Sequence, residues 1–166
     1  MSIATGASAG PEIAMEDSTD LSQRLTAALE EILPVQHEDD GALTVHHDDT
    51  FASLRVVTIA EDLDLVSLTQ VLAWDLPLDS KIRAKVAKHA HDTLLGTVSL
   101  VEKVGPERID PEKTGTKKSP SAKAADVLLR YNFPAAGLTD DALRTLVLMV
   151  LATGADVRRG LVGRQP

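Results

Sequence analysis

The sequence predicts an α+β domain built on an antiparallel sheet. Hydrophobic residues make up 43% and charged residues 25% of the 166-residue chain, a balance typical of one folded soluble domain. Helical and strand-like periodicities follow one another in the order α-β-β-β-α-β-β-α. Three consecutive strands with short connections favour an antiparallel meander. We therefore expect a five-stranded antiparallel sheet with flanking helices, not a doubly wound parallel sheet.

Three helices are predicted from apolar spacing and from capping residues. The polar run 18–20 begins the first helix, and Pro34 ends it. Asp79 caps the second helix. Thr139 caps the third, which continues to about Val162 and has two aspartates in its first turn. Each start combines a side chain that accepts a backbone hydrogen bond with an apolar stripe after it.

Five strands are predicted, at about 43–46, 52–60, 66–74, 95–103 and 126–133. Alternation in the third strand places Trp74 on the same face as Val66, with Gln70 as a polar exception on that face. Pro77 is predicted to end this strand, and the segment 36–41 is predicted to be an acidic turn.

The chain is predicted to hold one domain, with an irregular leader before it and an irregular loop within it. Residues 1–16 lack periodicity and the features of a signal peptide, which predicts a disordered leader and a cytoplasmic protein. A single domain then covers 17–166. The segment at about 105–123 is rich in Pro, Gly, Lys and Ser, which predicts a mobile loop. Most of the acidic charge lies in residues 1–50, which hold eleven acids and one base.

Composition excludes several functional classes. The chain has no cysteine, which excludes disulfides, thiol nucleophiles and cysteine-based metal sites. One Trp, one Tyr and two Phe are too few for a base-stacking platform, and a net charge of −8 argues against nucleic-acid binding. No apolar run approaches the roughly 20 residues of a membrane span. The sequence has no Gly-rich phosphate loop and no nucleophile-elbow motif.

Five histidines raise a metal-site hypothesis. His89 and His91 are two residues apart, so in a helix their side chains point about 200° from each other. We expect His89 at the edge of the core and His91 in solvent. His46 and His47 lie on opposite faces if they belong to a strand. Together with Asp48 they leave open an alternative, a small metal-dependent hydrolase, although a polar turn is the simpler interpretation. No catalytic, cofactor-binding or metal-binding residue is predicted.

The last helix is apolar beyond one face. The run LVLMVLA at 146–152 adds Leu148, Met149 and Leu151 to an already complete core-facing stripe. A helix that is hydrophobic all round must be covered on more than one side. The cover is the first helix of the same chain, a second subunit or a client protein.

Two segments resemble the YbjN family. They are VSLTQVLAWDLPLDSKIRAKVAKHAHDTLLGTVSLV and VLLRYNFPAAGLTDDALRTLVLMVL, and the resemblance covers roughly 20–163. The matching positions are Trp74, Pro77, Gly96, Tyr131, Pro134, Leu138 and Thr139. The resemblance implies a type III secretion chaperone-like α+β fold and a role as a regulator of bacterial sensory transduction. It implies no catalytic residue.

Taken together, these observations predict a non-enzymatic protein-interaction module, chaperone-like or regulatory. We expect a homodimer that binds a protein or peptide partner and needs no cofactor, nucleic acid or membrane. The predicted partner or dimer surface consists of Trp74, Leu148, Met149 and Leu151. Besides the hydrolase, the open alternative is a small-molecule sensor with its ligand between the sheet and a helix.

Overall fold

A computed structural model describes residues 12–103 and 123–163 of the chain. Within these residues it has three helices, α1 (Glu12–Glu30), α2 (Ser80–Asp92) and α3 (Asp140–Val162). The six strands are β1 (Val35–His37), β2 (Leu43–His47), β3 (Thr50–Ala60), β4 (Leu63–Pro77), β5 (Thr97–Lys103) and β6 (Ala124–Pro134). The predicted mobile loop lies outside the described residues, apart from its last residue, Lys123.

The strands form one antiparallel sheet in the order β1-β2-β3-β4-β6-β5. The α+β class and the antiparallel arrangement are therefore confirmed. The prediction of five strands is wrong, because β1 overlaps the segment predicted to be an acidic turn. This strand is only three residues long and pairs through Val35 with Val45 of β2. Its existence depends on that pairing, since its own residues carry no strand periodicity.

All three helices pack on one face of the sheet and bury a single apolar core. The largest fully buried side chains in it are Leu25, Leu29, Leu54, Leu68, Leu72, Leu129, Leu143, Leu151, Gln70, Val45, Val66 and Val127. Helix α3 lies in the centre, against β4, with α1 on one side and α2 on the other. We call the opposite, helix-free side of the sheet the open face, because no described helix covers it.

Local capping signals determine where α2 and α3 begin. The Asp79 carboxylate accepts a hydrogen bond from the backbone N–H of Ile82 at 2.7 Å. The Thr139 hydroxyl accepts one from the N–H of Ala142 at 3.2 Å. Both predicted caps are confirmed. Helix α1 instead begins at Glu12, so the prediction of a disordered leader through residue 16 is wrong for residues 12–16; residues 1–11 are not described.

Two arginines join α1 to α3. The Arg24 guanidinium donates to the Asp140 carboxylate at 2.9 Å and also contacts the Leu138 carbonyl. Arg144 donates to the Ala28 carbonyl at 3.3 Å and pairs with Glu31. These contacts hold α1 along α3, so much of the apolar surplus of α3 is covered by its own chain. No helix within the described ranges is long and apolar enough to cross a membrane.

Candidate functional site

Two irregularities in β4 bring Trp74 to the open face. Val71 pairs with Leu128 and Ala73 with Val127, so Leu72 is an extra residue on β4. Such a bulge shifts the alternation of side chains by one position. The prediction that Trp74 shares a face with Val66 is therefore wrong, because Val66 is in the core and Trp74 is 53% exposed.

Helix α3 and a carboxylate support these irregularities. Arg158 of α3 donates to the carbonyl of the extra residue Leu72 at 2.7 Å. Beyond it, Asp75 has a positive φ of 48° and lies within a second shift in register, between Ala73 and Leu76. The carboxylate of Asp126 accepts from the Asp75 N–H at 2.9 Å. The backbone on both sides of Trp74 is thus held by contacts from distant parts of the chain.

Lys103 connects the indole to two carboxylates. Its ammonium lies 5.6 Å from the centre of the Trp74 ring, 2.8 Å from the Asp126 carboxylate and 2.9 Å from that of Asp75. A cation over an indole face is attracted by the ring quadrupole. The charge therefore lies over one side of the ring, while Trp74 as a whole is 53% exposed.

The Asp126 carboxylate and the Lys103 ammonium shift each other's pKa. Burial raises the pKa of the Asp126 carboxyl, but hydrogen bonds from Lys103 and from the Asp75 N–H, with the charge of Lys103, outweigh burial and hold this pKa below its ordinary value. Hydrogen bonds to Asp126 and Asp75 raise the pKa of Lys103. The pair is ionised at neutral pH.

Three rings form an aromatic cluster on the open face, which we define as His46, Phe51 and Trp74. The imidazole of His46 meets the Phe51 ring edge-on, with centroids 5.1 Å apart, and the Phe51 and Trp74 centroids are 6.5 Å apart. Phe51 is 40% exposed. The other two aromatic residues, Tyr131 and Phe133, stack on the helix side of the sheet. Large rings exposed side by side are typical of binding surfaces.

The structure does not bring the predicted surface residues together. Trp74 lies on the open face, whereas α3 lies on the opposite side of the sheet. Within α3, Leu148 is half-buried and Met149 is 53% exposed. Leu151 is completely buried, so the prediction that it belongs to an interaction surface is wrong. On α3, the residues of the predicted surface that solvent reaches are the exposed Met149 and the half-buried Leu148.

The residues of the hydrolase hypothesis point apart. His46 is on the open face beside Phe51, while His47 pairs with the buried residue Thr50 on the other face. The Asp48 carboxylate pairs with Arg159 of α3 at 3.1 Å. Among the described residues, no three His, Asp or Glu side chains are grouped so that they could hold a metal ion.

The two histidines of α2 lie where the helix geometry places them. His89 is half-buried against α3, and a Cβ built on Gly160 would lie 2.6 Å from its Nε2 atom. His91 is exposed. The expected positions of these two residues relative to the core are confirmed.

The sensor hypothesis needs a cavity between the sheet and a helix. A cleft of about 210 Å³ lies between α1 and the β3–β4 hairpin, lined by Asp20, Leu21, Arg24, Thr58, Asp62, Asp64 and Ala136. Small-molecule sites occupy roughly 300–1,000 Å³ and are mostly apolar. This cleft is smaller and rich in carboxylates, so it gives the sensor hypothesis no support.

Sequence reasoning found Trp74 but missed Phe51, Lys103 and Asp126. A signal for Phe51 exists, because it alternates with the apolar residues Ala52 and Leu54 and so belongs to the opposite face. Lys103 and Asp126 have no comparable local signal.

Comparisons with known proteins identify no relative. No protein-family model matches the chain, and neither a curated protein nor a solved structure matches it. The resemblance to the YbjN family therefore stays a prediction.

Proposed function

We propose that the protein binds another polypeptide on the open face of its sheet and catalyses no reaction. The observation that carries the proposal is the aromatic cluster. Two of the chain's four aromatic residues, Phe51 and Trp74, lie exposed and adjacent on the face of the sheet opposite the apolar core. Exposed aromatic rings on a rigid support are the usual anchors of protein interfaces.

The contacts around Trp74 support this role. Lys103, Asp126 and the irregular β4 backbone hold the indole in one orientation. A side chain that is already ordered loses little conformational entropy when a partner binds. The indole N–H also offers a polar group beside a large apolar area.

The wider assignment rests on the sequence resemblance to the YbjN family together with the exposed residues of the open face and of α3. We propose a cytoplasmic, YbjN-like domain of the type III secretion chaperone-like class, acting as a chaperone or regulator. We also propose that two copies pair through the outer side of α3, where Met149 is exposed, which leaves the open face available for the partner.

Affinity capture with matched variants tests the proposal. The complete chain is immobilised and incubated with a lysate of the cells from which it comes, and bound proteins are quantified by mass spectrometry. We expect Trp74→Ala to lower the amount of specifically bound partner by about tenfold or more. Leu94→Ala is the matched control, because Leu94 is also an exposed large apolar residue (93%) and belongs to neither the aromatic cluster nor α3.

Both variants are checked by thermal unfolding, since the comparison requires folded protein. Exposed positions usually tolerate substitution within about 0.5 kcal/mol. If Trp74→Ala binds the same proteins in the same amounts as the unmutated chain, the open face is not the binding surface and the proposal is wrong.

A further inference from the structure

Arg130 is a charged side chain on the open face without an anionic partner among the described residues. It lies on β6 and is exposed. Its guanidinium takes part in none of the ion pairs or side-chain hydrogen bonds found among the described residues. The two other cations of the open-face strands are neutralised: Arg55 pairs with Asp40 at 2.9 Å, and Lys103 with Asp126 at 2.8 Å. Among the residues that the structure describes, Arg130 is therefore the cation of the open-face strands that has no anionic partner.

Hydroxyl groups surround Arg130. Its register neighbours are Thr69 on β4 and Thr97 on β5. The same line across the sheet continues with Ser53 and Thr44. We call these five residues the polar row. Hydroxyls and a guanidinium all donate hydrogen bonds, and the planar guanidinium suits a carboxylate best.

An apolar row runs beside the polar row. It consists of His46, Phe51, Val71 and Leu128, which are neighbours in register across four strands, and Trp74 adjoins it. Leu128 and Arg130 are two residues apart on β6, so the rows are separated by about 7 Å. Within the described ranges, the open face thus has an apolar row and, about 7 Å from it, the unpaired guanidinium of Arg130.

We propose that the partner is a polypeptide segment with an acidic side chain about 7 Å from a large apolar side chain. The apolar group packs on Phe51 and Trp74, and its carboxylate pairs with Arg130. This inference rests on the proposed function and specifies the chemistry of the partner. A second copy docked through its own open face does not supply this carboxylate, because the described acids of that face (Asp40, Asp75 and Asp126) are already paired.

A random peptide library tests the inference whatever the natural partner is. Phage-displayed dodecapeptides are selected on the complete chain, and the selected peptides are then titrated as synthetic probes. Binding is measured by isothermal titration calorimetry, because the Trp74→Ala variant, which identifies the Trp74-dependent peptides, has no tryptophan to report binding by fluorescence. Three charge variants are compared with the unmutated chain: Arg130→Gln, Arg130→Glu and, as the matched control, Lys81→Glu on the exposed side of α2.

The expected result has three parts. Peptides that bind in a Trp74-dependent way contain Asp or Glu within a few residues of Leu, Phe or Trp. Arg130→Gln weakens them about tenfold or more, whereas Lys81→Glu leaves their affinity unchanged. Selection on Arg130→Glu yields peptides with Lys or Arg in place of the acid.

Two other results would overturn the inference in different ways. Trp74-dependent peptides that show no acidic preference and bind Arg130→Gln normally would leave the proposed function intact and disprove the pairing with Arg130. If no selected peptide depends on Trp74, the proposed function fails and the inference fails with it. Thermal unfolding of each variant confirms that the comparison concerns folded protein.

Discussion

The side-chain amide of Gln70 occupies the space that a side chain at Gly154 would need. A Cβ built on Gly154 would lie 2.0 Å from the Gln70 Oε1 atom. Gln70 is fully buried on β4, and its Nε2 group donates to the Thr50 hydroxyl at 2.7 Å and to the Leu151 carbonyl at 3.0 Å. The Gln70 amide of β4 thus hydrogen-bonds to the backbone of α3. Because the amide lies against Gly154, that position of the helix has no space for a side chain.

Gly154→Ala is expected to destabilise the fold. Alanine has the higher helix propensity, by about 1 kcal/mol, but the clash with Gln70 displaces a buried side chain and its two hydrogen bonds. We expect a net loss of about 1–3 kcal/mol in the free energy of unfolding, measured by urea denaturation.

The Gln70→Ala background separates this clash from other effects. Without the Gln70 amide, the methyl group of the new alanine has room. The loss in the free energy of unfolding caused by Gly154→Ala should therefore be smaller by at least about 1 kcal/mol in Gln70→Ala than in the unmutated chain. Gly137→Ala is the control, because a Cβ at Gly137 would meet no atom within 4 Å. Equal costs in both backgrounds would show that Gln70 is not the obstacle.

Gly160→Ala is expected to be tolerated, although it also introduces a close contact. The obstacle is the imidazole of His89, 2.6 Å from a Cβ at Gly160. This ring is half-buried at the end of α2 and can rotate toward solvent, unlike the enclosed amide of Gln70. Because the gain in helix propensity offsets the displacement, we expect a change within about 1 kcal/mol by the same urea measurement. A loss comparable to that of Gly154→Ala would contradict this.

Those parts of the fold that depend on short segments could be predicted from the sequence. The caps Asp79 and Thr139 act on residues three positions away, and the apolar stripes have the period of the helix itself. Strand β1 could not be predicted in this way. Three residues carry no periodicity, and the strand forms because Val35 meets Val45 of β2.

The candidate site was less predictable because it depends on contacts between distant residues. Strict alternation places Trp74 in the core, and only the extra residue Leu72 reverses that position. The supports of this irregularity come from Asp126, 51 residues after Asp75, and from Arg158, 86 residues after Leu72. No local sequence pattern predicts either contact.

Asp126→Asn is expected to destabilise the protein at neutral pH more than in acid. The pKa of the folded-state carboxyl lies below its ordinary value of 3.8, so its contacts contribute stability above that pH. This contribution is lost as the pH falls through the lower folded-state pKa. We expect the variant to lose about 1–2 kcal/mol at pH 7 and the difference to shrink steadily below pH 3.8.

Urea denaturation at a series of pH values measures this difference. Asp49→Asn is the control, because Asp49 is exposed and no contact of its carboxylate is found among the described residues. Its effect should be small at every pH. A loss for Asp126→Asn that stays constant into acid would show that the carboxylate charge is not what stabilises the backbone beside Trp74.

The two ends of the Met149–Leu151 segment are expected to respond differently to substitution. Leu151 is fully buried, so Leu151→Ala should lower the free energy of unfolding by about 2–5 kcal/mol. Met149 is 53% exposed, so Met149→Glu should change it by less than about 1 kcal/mol. If two copies pair through α3, the same glutamate places a charge in their interface and breaks the association while the fold persists.

Size-exclusion chromatography with light scattering distinguishes association from folding. We expect a dimer for the unmutated chain at micromolar concentration and a folded monomer for Met149→Glu, with Trp74→Ala remaining a dimer because it lies on the other side of the sheet. A monomer for the unmutated chain would contradict the pairing. A dimer that survives Met149→Glu but not Trp74→Ala would place the subunit contact on the open face, and the partner would then have to compete with a second copy for the aromatic cluster.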